Sequence, residues 1–204
     1  QSDFGRVTGE TPRMVTKPEG KRLIIVGTLT SPYISQLVKN KQLDASLLKG
    51  KWETYVMTVV VNPLEGVDEA LVIAGSDRRG AVYGIYELSE QIGVSPWYDW
   101  ADVPVERQQN LSIARGTYTA GEPAVKYRGL FLNDDAPWLT GWVKHTYGTN
   151  YGDHRFYARV FELLLRLRAN MLWPAMWSWS FYADDPLNSQ TASDMGIIMS
   201  ENIY

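Results

Sequence analysis

The stretch Tyr127-Arg-Gly-Leu-Phe-Leu-Asn-Asp-Asp-Ala-Pro-Trp138 constrains the fold of this chain more than any other. Leu130-Phe131-Leu132 is a continuous apolar run, which predicts a strand buried on both faces. Asn133, Asp134 and Asp135 follow at once, and Pro137 prevents the strand from continuing. Strands of this kind belong to α/β folds, where ligands bind beyond the carboxyl ends of parallel strands. A carboxamide and two carboxylates there are candidates for contact with a ligand. The competing reading is local, since Asn and Asp are also common turn and cap residues.

The flanking sequence alternates strands and helices. Residues 1 to 20 lack a clear period and read as a lead-in. Arg22–Gly27 predicts a short strand, and Ser31-Pro32 opens a helix that runs to about Asn40. Asp44 caps a short turn. Trp52–Val61 and Ala70–Gly75 are β-rich. Ser76-Asp-Arg-Arg-Gly80 then turns into a helix whose stripe is Val82, Ile85, Tyr86, Leu88 and Ile92, with Gly93 at its end. Glu87, Glu90 and Gln91 fall on the opposite, solvated face. A further short strand is predicted over Leu111–Ala114. The expected domain boundary lies near Gly121–Pro123, giving an N-terminal α/β sandwich over 1–121 and a second domain over 122–204.

In the second domain, Gly141–Gly152 reads as a loop. Asp153 caps a helix over His154–Asn170, where Glu162 and Arg166 form an i,i+4 pair on a solvated polar side. Met171–Trp177 is the next strand and its exit, a helix begins near Asn188, and Gly196–Met199 is a third strand. Strand, helix, strand, helix, strand is the opening of a parallel α/β unit.

Composition excludes several function classes. The chain has 204 residues, 45% of them hydrophobic, with a formal net charge of −3 and no basic block. Nucleic acid or an anionic membrane is therefore not an expected partner. No apolar run approaches the roughly 18 residues of a membrane span. Cysteine is absent, which removes disulfides and thiolate metal sites. His145 and His154 lack metal-ligand spacing, so no metal site is expected. No signal peptide precedes Gln1, so the sequence reads as a mature form or an excised piece.

The aromatic content points elsewhere. Of eight Trp, five (Trp138, Trp142, Trp173, Trp177 and Trp179) crowd into one stretch. Sugars offer apolar C–H faces that stack on aromatic rings, and their hydroxyls need polar partners close by. The cluster hints at carbohydrate, against the plainer reading that large indoles fill a core.

Several motifs resemble one family in order and register. They are Ala74-Gly-Ser-Asp-Arg-Arg-Gly80, Tyr83-Gly-Ile-Tyr86, Ser89-Glu-Gln-Ile-Gly-Val-Ser-Pro-Trp97, Tyr127-Arg-Gly-Leu-Phe-Leu-Asn-Asp134, Arg168-Ala-Asn-Met-Leu-Trp-Pro-Ala-Met-Trp177, Asp184-Asp-Pro-Leu-Asn188 and Gly196-Ile-Ile-Met199. With them the chain resembles glycoside hydrolase family 115, the xylan α-1,2-glucuronidases. The resemblance implies an α/β domain followed by a (β/α)8 (TIM) barrel, of which only the first βα units fall within 122–204. It implies a pocket for glucuronic acid or its 4-O-methyl ether, hydrolysis with inversion, and no metal or cofactor. Family pocket residues correspond to Asn133 and Asp134. Trp97 and Trp177 match tryptophans lining the sugar pocket, and Glu90 matches an acidic residue near it. Asp135 stands where Glu is common.

Inverting hydrolysis needs two carboxyl groups roughly 6.5–9.5 Å apart with a water between. Asp134 is the candidate for one of these, or for fixing sugar hydroxyls. Asn133 would hydrogen-bond a hydroxyl, and Trp97 and Trp177 would stack. Two departures stand out: Ser178-Trp179-Ser180 replaces a usual Gly-Asn pair, and Ser200-Glu-Asn-Ile-Tyr204 replaces a Gly-Thr-Ser-His-His-Glu-Pro-like continuation. The expected function is therefore the N-terminal part of a glycoside hydrolase that removes (4-O-methyl-)glucuronic acid from glucuronoxylan or its oligosaccharides. The 204 residues alone are expected to be inactive. The resemblance further implies secretion, and is compatible with a homodimer of the full-length protein. The alternatives are a non-catalytic carbohydrate-binding or assembly fragment and a glycosidase of different sugar specificity.

Overall fold

The computed structural model describes residues 1–200, so the departure at Glu201–Tyr204 lies outside the described residues. The chain divides into two compact units, Gln1–Ala124 and Val125–Tyr204. No helix among the described residues is long and apolar enough to cross a membrane.

The first unit is organised on the strand β3 (Glu69–Gly75). On one side it pairs in parallel with β1 (Arg22–Thr28), and on the other antiparallel with β2 (Tyr55–Val61), and β4 (Thr117–Tyr118) completes the sheet order β1-β3-β2-β4. Side chains alternate across the pleat. Ala70, Val72 and Ala74 join Ile34 and Leu37 of the helix α2 (Pro32–Lys39) in one core layer. Leu71 and Ile73 join Val7, Leu88 and Ile92 in the other. Val7 lies on α1 (Ser2–Thr8) and Leu88 on α3 (Arg78–Gln91), so helices cover both faces. The expected lead-in thus contains a helix. Its sequence, with Gly5 and only two core-facing apolar residues, carries too little period to announce itself.

Two further expectations are corrected. Leu111–Ala114 is not a strand; the sheet is instead completed by β4 (Thr117–Tyr118), which pairs with β2. The buried seam of α3 is also rotated from the predicted stripe, with Ile85 exposed and Gly80, Ala81, Gly84 and Leu88 facing inward. The cause is close approach. A Cβ on Gly80 would lie 2.2 Å from the Thr54 carbonyl oxygen, and one on Gly84 2.5 Å from Ile73 Cγ2. Hydrophobic periodicity cannot register a contact made by missing side chains. Nor is the outer face of α3 wholly solvated, because Glu87 accepts from the Tyr55 hydroxyl at 3.0 Å.

The Ser-Asp-Arg-Arg-Gly motif closes the start of this helix. Asp77 accepts from the backbone N–H of Gly80 at 2.8 Å and of Glu53 at 2.7 Å. Arg79 pairs with the buried Glu53 at 2.5 Å. At the other end Gly93, at φ 104°, donates to Glu90 O, while Val94 donates to Ser89 O. That is a Schellman cap, which a residue with a Cβ resists.

The second unit is a parallel sheet of β5 (Gly129–Leu132), β6 (Met171–Pro174) and β7 (Ile198–Met199), in sequential order. Helices α4 (Trp138–Tyr147) and α5 (His154–Arg166) connect the first two strands; α6 (Phe181–Asp184) and α7 (Leu187–Met195) connect the last two. The expected loop at 141–152 is mostly the helix α4. Gly141 hides its propensity, but Val143 is buried and Gly148, in the left-handed region, caps it onto Lys144 O. Among the described residues β5 is not buried on both faces: Leu130 is 41% exposed and Phe131 54%. Phe131 and Trp173 meet edge to face on one side of the sheet, at 5.3 Å.

α5 supplies the core of this unit through Phe156, Tyr157, Val160, Phe161 and Leu164. It stops at Arg166 rather than Asn170. Asn170 is buried and instead ties two segments, accepting from Arg128 N at 2.9 Å and donating to Lys126 O at 2.7 Å. The Glu162–Arg166 pair forms at 2.8 Å, yet Arg166 is buried rather than solvated.

Two outcomes are expected from this packing. Gly80→Ala adds helix propensity worth about 1 kcal/mol, yet its methyl meets a backbone carbonyl that cannot move aside. Urea unfolding is expected to show a net loss of about 1–3 kcal/mol, and a stabilised variant would contradict the close-approach account. Asp153 caps α5, accepting from Arg155 N at 3.0 Å and Phe156 N at 3.2 Å. Asp153→Ala is expected to cost about 1–2 kcal/mol by the same measurement, and a neutral result would show the cap to be idle.

Candidate functional site

The sequence candidates separate by unit. Trp97 and Glu90 belong to the first. Glu90 lies near the end of α3 and is exposed, and Trp97 sits 43% exposed in the turn that follows, its backbone N–H on Ser95 Oγ at 3.1 Å. Asn133, Asp134 and Trp177 belong to the second. They lie just past the carboxyl ends of the adjacent parallel strands β5 and β6.

The polar burst after β5 divides by burial. Asn133 and Asp135 are exposed, and Asn133 Nδ2 donates to Asp135 Oδ2 at 2.7 Å. Asp134 between them is only 4% exposed. Its Oδ1 accepts from Trp177 N at 2.9 Å, and its Oδ2 accepts from Ser178 N and Trp179 N, each at 2.8 Å. Consecutive N–H groups converging on one carboxylate make an anion nest that a side chain of the same chain fills. Nothing in the sequence spacing announced this link, because the partners are backbone groups more than forty positions away.

The loop after β6 carries one ring outward and one inward. Trp177 is 66% exposed. Trp179 is buried, with its indole N–H on Asn150 O at 2.9 Å and its ring against Phe156 at 5.7 Å. Trp138 is 78% exposed on the first turn of α4. Trp179 therefore follows the plainer core reading, while Trp138 and Trp177 face outward. Ser178 and Ser180, which depart from the family pattern, contribute backbone donors. Ser178 donates to Asp134, and Ser180 donates to Asp184 Oδ2 at 2.6 Å.

Around this loop lies a second polar layer that sequence reading missed. The Tyr157 phenol is pushed up, first by burial and then by the negative charges of Asp134 and Asp184. His154 Nδ1 lies 2.8 Å from Asp185 Oδ2, which also accepts from His154 N at 3.0 Å. Asp185 Oδ1 accepts from Leu187 N at 2.9 Å. These bonds, His154 first, hold the Asp185 carboxyl below its usual range. Asn188 is fully buried and donates to Gly152 O at 3.1 Å and Phe181 O at 2.9 Å. The Asp-Asp-Pro-Leu-Asn motif is thus structural, joining the starts of α5 and α7. Among the described residues no group of His, Cys, Asp and Glu is arranged to hold a metal ion.

Comparison with known proteins bears on the whole constellation. The family model described as glycosyl hydrolase family 115 matches residues 120–202. No curated protein matches the chain. A solved structure described as a family GH115 4-O-methyl-α-glucuronidase, BtGH115A, with specificity for decorated arabinogalactans, is similar over 98% of this chain, with 36% identity and a TM-score of 0.82. The chain spans 26% of the length of that structure. The match runs through both units, and the family match covers the loops that carry Asn133, Asp134 and Trp177. The chain belongs to glycoside hydrolase family 115.

Proposed function

We propose that this chain is part of an α-glucuronidase that removes glucuronic acid, or its 4-O-methyl ether, from polysaccharide side chains by inverting hydrolysis. The observation that carries the reading is the 36% identity to a 4-O-methyl-α-glucuronidase across 98% of the chain. Two features of the second unit support it. Three parallel strands in sequential order, joined by helices, are how a (β/α)8 barrel begins, and we read 125–200 as that beginning. Asn133, Asp134 and Trp177 also sit just past the carboxyl ends of these strands, where barrels bind their substrates.

In this reading Trp177 presents its exposed ring to the apolar face of the sugar, and Asn133 offers a donor and an acceptor to a hydroxyl. Trp97 and Glu90 of the first unit enter this reading through the family resemblance alone. The carboxyl pair required for inversion stands roughly 6.5–9.5 Å apart, and one member comes from barrel units beyond these residues. A polymeric substrate goes with a secreted enzyme, which cell fractionation checks.

The polysaccharide itself has two candidates. Glucuronoxylan is the one that the sequence resemblance implies, and decorated arabinogalactan is the one named for the similar structure. A panel of glucuronidated xylo-oligosaccharides and arabinogalactan oligosaccharides separates them by kcat/KM. The rival reading, a binding or assembly protein that keeps part of a pocket, predicts sugar binding with no release on any member of the panel.

The expected result for the intact protein is release of glucuronic acid or its methyl ether, with the β-anomer first in the proton NMR spectrum of fresh product. An α-anomer appearing first would mean retention and a wrong mechanism. For the 204-residue chain by itself no turnover is expected, because it corresponds to about a quarter of the similar enzyme. Turnover by a mass-verified 204-residue product would overturn that.

A further inference from the structure

We propose that Asp134 is a positioning residue that clamps the loop carrying Trp177, and that it does not transfer a proton during hydrolysis. This deepens the glucuronidase reading and rests on it.

The clamp follows from hydrogen-bond accounting. An ionised carboxylate offers about four lone-pair sites, and three of those on Asp134 are taken by Trp177 N, Ser178 N and Trp179 N. The loop at 176–179 has no helix or ladder of its own to satisfy these donors. It begins with Met176 in the left-handed region, at φ 57°. Buried N–H groups left unpaired are costly, so without the carboxylate this loop has reason to adopt another shape. Trp179 anchors one end of it in the core through Asn150 O and Phe156. Asp134 holds the other end, beside Trp177.

Proton transfer asks for the opposite arrangement. A general acid or base reaches the reacting oxygen or water at about 2.6–3.2 Å and changes its own protonation during each turnover. Asp134 is buried, its Oδ2 carries two N–H groups, and a proton placed there would face both. Its charge is felt by the buried Tyr157 phenol. Asp135, one position on, is the exposed carboxylate of this turn, and its side chain accepts from the Asn133 amide.

Asp134→Asn separates the two roles. The carboxamide has one accepting oxygen and an NH2, so at least one loop N–H must face a donor. The clamp predicts that in the intact protein the 175–181 peptide exchanges its amide hydrogens at least about tenfold faster in the variant. It also predicts that kcat/KM falls by about 10–100-fold, as for a misplaced binding group, with both limbs of the pH profile of kcat/KM kept. Loss of one limb overturns the proposal whatever the exchange does, and so does unchanged exchange. If the variant does not fold, the unmodified protein decides. Amides 177–179 protected by at least about a hundredfold over an unstructured peptide support the clamp, and exchange at the unstructured rate overturns it. If the unmodified protein releases no glucuronic acid, the glucuronidase reading fails, and the exchange arm still tests the clamp.

Discussion

A buried backbone N–H must find an acceptor, and much of this chain is arranged to supply one where regular structure stops. Helices and strands satisfy their own interiors; their ends do not. Here a few short polar side chains cover those ends. Asp77 receives the start of α3, and Asp153 receives the start of α5. Asn170 joins the segment before β5 to the segment before β6. Asp134 takes three consecutive amides beyond β6. Each of these residues is polar, sits near a turn, and reads in isolation as an ordinary cap. What distinguishes Asp134 is where it lies, at the carboxyl end of a parallel strand, beside the loop that presents an exposed tryptophan.

This constraint also bears on how function and stability divide among the acidic residues. The Asp-Asp-Pro-Leu-Asn motif and the Ser-Asp-Arg-Arg-Gly motif are the charge-dense ones among those that carry the family resemblance. In the structure Asp77, Asp184 and Asp185 accept from backbone donors, Asp185 also meets His154, and Arg79 pairs with the buried Glu53. A buried ion pair of that kind is weak evidence for stability but costly to break on one side.

The alternation of β-rich runs and capped helices was legible in the sequence. Strands β1, β2, β3, β6 and β7 and helices α2, α3, α5 and α7 follow from hydrophobic pattern and turn residues. Other features were hidden for physical reasons. The seam of α3 is made by glycines, which have no hydrophobicity to read. α4 contains Gly141 and exposed tryptophans, so its period is blurred. At the site, the residue types and their place after β5 were readable from Asn133 and Asp134. The engagement of Asp134 with backbone more than forty positions away was not, since any sequence can supply an N–H.

The most direct test is a crystal structure of the intact protein with glucuronic acid bound. The account predicts a sugar ring stacked on Trp177, with the Asn133 amide within hydrogen-bonding distance of a hydroxyl. It predicts the Asp134 carboxylate still held by the N–H groups of Trp177, Ser178 and Trp179. A carboxylate of Asp134 turned away from those amides and bonded to the sugar or to the attacking water would contradict it.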